Sequence, residues 1–235
     1  MTTTLITGAN KGLGFETARR LTAAGHTVWI GSRDMDRGRR AAEAIGARCV
    51  RLDVTDDDSV VAAAETVVAA GGLDVLVNNA GVELRAADNS VPGASELTGR
   101  DMLDIFDTNV FGTVRVLHAF GPILSRSRHP VVVNVSSGLA SLTAVSTPGT
   151  PTHAYPGVAY PASKTAVNMV TVQYAKAWPH MRINAVEPGF TRTDLNGNTG
   201  VQTVAEGAAI IVAMATIEPD GPTGTFRSMA GELPW

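Results

Sequence analysis

Apolar positions along the chain follow two alternating rhythms. Short runs that are almost continuously apolar or β-branched occur at Thr3–Thr7, Thr27–Gly31, Arg48–Leu52, Val75–Val77, Val131–Val135 and Arg182–Val186. Runs of that length without polar alternation are what strands buried on both faces require, so they predict a parallel sheet. Between them lie segments with helical spacing, roughly 13–24, 34–45, 56–70, 100–125 and 158–178. In the fourth, Met102, Ile105, Phe106, Asn109, Val110, Thr113, Val114 and Leu117 keep one face of a 3.6-residue period. Strand–helix alternation from the first residue to about 188 calls for right-handed crossovers. The predicted architecture is one α/β domain over residues 1–235, a doubly wound parallel sheet with helices on both faces.

Composition narrows the class. A length of 235 residues suits one such domain better than two, and 44% apolar content is ample for a packed core. The net charge of −3, spread along the chain, argues against nucleic acid or an anionic membrane as partner. The single cysteine, Cys49, excludes a disulfide scaffold and is expected in the core. The start of the chain runs straight into a strand without signal-like character, and no run approaches the roughly 18 apolar residues of a membrane helix. A soluble cytoplasmic protein is therefore expected. None of His26, His118, His129, His153 and His180 has a partner at metal-ligand spacing, so no metal is expected.

Candidate chemistry begins after the first strand, at Thr7-Gly8-Ala9-Asn10-Lys11-Gly12-Leu13-Gly14, which opens directly into a helix. Glycines there let the backbone turn tightly and approach a pyrophosphate, whose charge sits at the helix N-terminus. In a β-α-β unit this predicts dinucleotide binding. The second strand ends Gly31-Ser32-Arg33-Asp34. Ser32 stands where an NAD-selective fold places an acid for the ribose diol, and Arg33 follows it. Arg33, with Lys11 as a second charge, suits a 2′-phosphate, so NADP(H) is favoured over NAD(H). Asp34 is expected to cap the next helix instead.

Tyr160 and Lys164 stand four apart in Ala159-Tyr160-Pro161-Ala162-Ser163-Lys164, one turn apart on one helical face. A lysine charge at roughly 4 Å and an effective dielectric near 20 contributes about 4 kcal/mol, enough to bring a tyrosine towards neutrality. Such a pair can pass a proton to or from a substrate oxygen. Tyr155 is followed four residues on by Ala159, so it is read as a decoy.

With these residues the chain resembles the classical short-chain dehydrogenase/reductase family, carbonyl-reductase-like in its tail, over nearly its whole length. The resemblance implies a Rossmann-type fold. It rests on Thr7-Gly8 with Gly12 and Gly14, on Asp53-Val54, on Asn78-Asn79-Ala80-Gly81, on Asn109, on Asn134-Val135-Ser136-Ser137, on Tyr160 with Lys164, and on Pro188-Gly189-Phe190-Thr191-Arg192-Thr193. Asn10, Leu13, Asp53, Val54, Asn79, Ala80, Gly81, Pro188, Gly189, Phe190, Thr191 and Thr193 would then contact the cofactor, together with Tyr160 and Lys164. Tyr160 would protonate the developing alkoxide, and Lys164 would lower the phenol's pKa and hold the nicotinamide ribose. Ser137 would hydrogen-bond the substrate oxygen, and Asn109 would carry a water-linked proton path to Lys164. Ser136, and the larger part of Asn79's role, are assigned to structure.

The chain departs from the pattern at residues 138–159, a longer Ser137-to-Tyr160 spacing than the short form of the family carries. Pro148, Pro151 and Pro156 argue against a long helix there, so the insert is expected to wall the substrate site. The loop after Thr193 looks brief, with a helix resuming near Val201. The leading expectation is a reductase of ketones, aldehydes or quinones, with a homodimer or homotetramer among the possible assemblies. The alternatives are a dinucleotide-binding sensor without turnover and a ketoacyl-thioester reductase. The sensor conflicts with retention of both Tyr160 and Lys164; the thioester reductase conflicts with the lack of a basic patch for a carrier protein.

Overall fold

The six apolar runs all become parallel strands: β1 Thr3–Thr7, β2 Thr27–Ser32, β3 Arg48–Arg51, β4 Val75–Asn78, β5 Val131–Val135 and β6 Arg182–Val186. This computed structural model describes residues 2–235. The sheet order is β3-β2-β1-β4-β5-β6-β7-β8, and it reverses direction between β1 and β4. In such sheets the crevice at the carboxyl ends of the strands, at the reversal, is where ligands bind. The last two strands, β7 Phe226–Ser228 and β8 Gly231–Glu232, are too short to carry a periodic signal. β8 turns back antiparallel and finishes one edge.

Helices α1 Gly12–Ala23, α2 Met35–Ile45 and α8 Val204–Ala215 cover one face. There Ala18, Leu21, Ile211 and Met214 pack on Ile6, Val77 and Val133. Helices α3 Asp57–Ala69, α5 Gly112–Leu124 and α7 Ala159–Ala177 cover the other, where Val67, Leu117 and Phe120 meet Leu5, Leu76 and Val132. Neighbouring residues of one strand thus feed opposite cores, which is why the strand runs are continuously apolar. Asp34 accepts from the backbone N–H groups of Asp36 and Arg37, and Asp56 from those of Asp58 and Ser59, capping α2 and α3.

Three expectations need correction. The helix read as 100–125 is α4 Gly99–Phe106, a π turn over Asp107–Phe111, and then α5. The π turn coincides with a polar anchor inside an apolar stripe: Asn109 is buried and bonded to Val82. The last helix starts at Val204 rather than Val201, because Thr203 and Glu206 form its capping box. Cys49 is half-buried beside Gly38 rather than in the core, and burial pushes its thiol up. The insert holds a 3-10 turn, Gly138–Ala140, and a short helix, α6 Leu142–Ser146, with no long helix.

Candidate active site

Helix α7 is bolted to β5 by polar contacts on successive turns. Thr171 Oγ1 accepts from Asn134 Nδ2 at 2.9 Å, Asn168 Oδ1 accepts from Ser136 Oγ at 2.7 Å, and Lys164 Nζ donates to Val135 O at 2.8 Å. One turn further towards the N-terminus, the same stripe carries Tyr160. Pro161 fits there because first-turn N–H groups have no partner inside the helix. Ser137 lies just beyond β5, so side chains from strand and helix converge at the strand's carboxyl end. Its oxygen accepts from Leu139 N at 3.2 Å, and it lines the same cleft as Tyr160.

A cleft of about 790 Å³ runs along these carboxyl ends. It brings together Gly8, Asn10, Lys11, Gly12 and Leu13 of the glycine loop; Arg33, Asp53 and Val54 after β2 and β3; and Asn79, Ala80 and Gly81 after β4. Ser137, Tyr160, Lys164, Pro188, Gly189, Phe190, Thr191 and Thr193 also line it. Three expected site residues do not. Gly14 is packed beneath the loop, and Ser32 is buried with its hydroxyl donating to Asp34 O at 2.7 Å. Asn109 is held at three points: Oδ1 accepts from Val82 N at 2.8 Å, and Nδ2 donates to Val82 O at 2.9 Å and Ser163 Oγ at 3.0 Å. These bonds position the chain after Gly81 against α7, and Oδ1 keeps a second lone pair.

The residues at the glycine loop fit a dinucleotide. Helices α2, α3, α4 and α8 each begin on a side-chain cap, whereas α1 begins on Lys11 with none and has no acid in its first turn. Its bare N–H groups and positive dipole end face the cleft, the arrangement that binds phosphate. Gly8 and Gly12 hold φ of +63° and +58°, which favours glycine at both. Asn79 secures the loop from β4, donating from Nδ2 to Thr7 O at 2.9 Å and Gly8 O at 3.2 Å.

The electrostatics differ from those expected of Tyr160 and Lys164. Burial pushes the phenol up, with the Glu83 and Glu187 carboxylates adding to the rise, while the Ser137 hydrogen bond and Arg85 oppose it. Lys164 is 4% exposed, and burial brings it down to about 8. Its Nζ is turned to Val135 O and stands 5.6 Å from the Tyr160 ring centroid. The ammonium is itself destabilised, so the lysine does not pull the phenol down in the protein alone. Lys11 is likewise engaged, 2.8 Å from Asp194, and is not a free second charge.

Sequence reasoning passed over several lining residues. Glu83, Arg85 and Tyr155 form a hydrogen-bonded group on the substrate side, with Pro151 and Thr152 beside them. The charged pair directly after Asn79-Ala80-Gly81 was the available signal. Glu187 accepts from the backbone N–H of Gly189 at 2.8 Å and packs against Gly138, so the loops after β6 and β5 meet there; burial raises its carboxyl.

The buried lysine gives a stability signature with a defined sign. Lys164 titrates near 10.5 unperturbed and about 8 when folded, so between those values the unfolded chain binds more protons. Its contribution to stability therefore rises with pH across that window. The urea midpoint of the cofactor-free protein, measured relative to a Lys164→Met variant, should climb between about pH 8 and 10. A flat difference would mean that the lysine is not desolvated.

Residues 2–203 match the family model described as short chain dehydrogenase. The chain is 33% identical over 284 aligned positions to (+)-neomenthol dehydrogenase of Arabidopsis thaliana, covering 95% of each. It is 28% identical over 294 positions to the (+)-neomenthol dehydrogenase of Capsicum annuum, covering 94% of each. Among solved structures, salutaridine reductase from Papaver somniferum superposes with a TM-score of 0.84 at 28% identity, covering 96% of this chain and 99% of that one. The chain belongs to the short-chain dehydrogenase family, oxidoreductases that move a hydride between a nicotinamide cofactor and a carbonyl or alcohol carbon.

Proposed function

We propose that the whole chain works as one NADP(H)-dependent carbonyl reductase in which Tyr160 is the proton donor. The observation that carries this is the convergence of Ser137, Tyr160 and, one turn from it, Lys164 on one cleft that also contains the bare N-terminus of α1. NADP(H), when bound, supplies or accepts the hydride. Tyr160, held protonated by its surroundings, gives its proton to the substrate oxygen as that oxygen becomes an alkoxide. Ser137 donates a hydrogen bond to the same oxygen, stabilising charge as it develops. Lys164, titrating near neutrality, is placed to restore a proton to Tyr160 and to hold the cofactor's ribose hydroxyls.

The preference for NADP(H) is supported by what is missing after β2. An NAD-selective site needs a free carboxylate for the ribose diol. The next acid along the chain is Asp34, whose Oδ1 caps α2 and whose Oδ2 pairs with Arg37 at 3.1 Å. Arg33 is exposed at the cleft, has no ion-pair partner among the described residues, and is placed for a 2′-phosphate. Beside the glycine loop, Lys11, Arg37 and Arg40 line a smaller recess of about 320 Å³; Lys11 and Arg37 are paired with Asp194 and Asp34, and Arg40 has no ion-pair partner among the described residues. Arg33→Ala should weaken NADPH roughly 10- to 100-fold, the value of hydrogen bonds to a charged group, and change NADH affinity by less than about threefold. Fluorescence titration of both nucleotides checks this. Equal effects on the two would remove the assignment of NADP(H).

A further inference from the structure

The substrate side of the cleft carries a polar cluster that hydride transfer does not use. The side chains of Glu83 and Arg85 are only 6% and 17% exposed. Arg85 contacts Glu83 Oε2 through Nε and Nη2, both at 2.9 Å, and donates from Nη1 to Asn89 O at 2.8 Å. The other carboxylate oxygen, Oε1, accepts the phenol of Tyr155, which comes from the insert. All three line the same cavity as Ser137 and Tyr160. Glu83 and Arg85 act on the Tyr160 phenol with opposite signs, and Tyr155 and Tyr160 act on one another, so the cluster sits within charge range of the proton donor.

A buried ion pair is a poor way to join two loops. Desolvation cancels much of the attraction, and packed apolar side chains of similar volume serve as well or better. The insert is also fixed elsewhere: Gly157 packs on Val91, and Thr143 N and Oγ1 both bond Trp235 O. The cluster keeps hydrogen-bonding capacity to spare. Guanidinium has five N–H groups; the contacts above use one on each nitrogen, which leaves one on each Nη. The Tyr155 hydroxyl donates its one hydrogen bond to Glu83 Oε1 and keeps its lone pairs to accept. Donors and acceptors therefore stand side by side in a cavity whose lining also includes Val82, Leu139, Pro151 and Leu195. A hydroxyl group, which both donates and accepts, matches that pairing.

We propose that Tyr155, Glu83 and Arg85 form a second substrate anchor, selecting carbonyl compounds that carry a hydroxyl group away from the reacting carbon. The proposal rests on the reductase reading above. Its test is NADPH oxidation by the full chain with cyclohexanone and with its 2-, 3- and 4-hydroxy derivatives, for wild type, Tyr155→Phe and Glu83→Gln. Sites built to hydrogen-bond a substrate hydroxyl discriminate strongly against analogues lacking it. Wild type should prefer at least one hydroxyketone by about thirtyfold or more in kcat/KM, and either variant should cut that ratio to below about fivefold, mainly through KM. Thermal unfolding of the variants checks that they are folded; a strap with only a structural role would lower both substrates together and leave the ratio alone. An unchanged ratio in both variants, or equal use of all four ketones by wild type, would overturn the anchor and leave the reductase reading standing. If NADPH binds and none of the four is reduced, both readings fall.

Discussion

Tyr160→Phe should lower kcat/KM for carbonyl reduction by about three orders of magnitude while NADPH affinity changes by less than about threefold. Proton donation by a positioned side chain contributes roughly 10²–10⁴ in rate, and three decades correspond to about 4 kcal/mol of barrier. The separation of effects follows from geometry. Only the phenol oxygen is lost; the ring keeps its place on the α7 stripe, and the contacts of Lys164, Asn168 and Thr171 with β5 stay intact. Because burial favours the protonated phenol, the wild type enters reduction with its acid loaded, and the fall in rate on the alkaline side should follow Lys164, which burial brings down to about 8. Steady-state kinetics with stopped-flow nucleotide binding makes the measurement. A variant within tenfold of wild type would mean that another group protonates the alkoxide.

Gly14→Ala carries the second large effect. Alanine is the better helix former by about 1 kcal/mol, so propensity alone favours the change. Packing decides against it. A Cβ at Gly14 would stand 2.5 Å from Asn79 Nδ2, 2.9 Å from Ala9 Cα and 3.0 Å from Gly8 O. Asn79 cannot swing aside cheaply, since its Nδ2 bonds both Thr7 O and Gly8 O. Helix α1 must move outward or those bonds must break, at a cost of about 3 kcal/mol or more in overpacking and lost hydrogen bonds. The net expectation is a destabilisation of about 2 kcal/mol, with nucleotide affinity falling as the bare N-terminus shifts. Gly99, in the first turn of α4, has nothing within 4 Å of its Cβ position and no positive φ. Gly99→Ala should therefore be neutral or stabilising by up to about 1 kcal/mol, which makes it the matched control in urea unfolding.

Elements whose residues answer to one requirement were legible in the sequence. The six parallel strands are buried on both faces, so their apolar runs needed no context. Asp34 caps a helix as local chemistry demands. The glycine loop and the Tyr160–Lys164 pair carry spacing signals, Ser137 was marked by the family resemblance, and all contribute to one cleft. What stayed hidden depends on partners far away along the chain. The insert's Tyr155 looked idle beside Ala159, yet its partner is Glu83, 72 residues earlier. Lys11 read as a free charge until Asp194, 183 residues on, took it up. The sign of the Tyr160 shift was missed for a related reason: pair spacing gives the lysine's attraction, while desolvation comes from everything packed around both groups.

The π turn at Asp107–Phe111 has a consequence for how this molecule can vary. A π turn holds one more residue than the α-helical path it replaces, and here that residue turns Asn109 towards Val82 and Ser163. Removing a single residue from 107–111 would let α4 and α5 join as one unbroken α-helix, and the bulge that brings Asn109 to its three contacts would be lost. Loops such as 147–151, half-exposed or exposed and held mainly by short-range bonds, face no such constraint. Insertions and deletions in a library should therefore survive in the wall of the cleft and fail at the π turn, so that length variation reshapes substrate choice and spares the proton-transfer machinery.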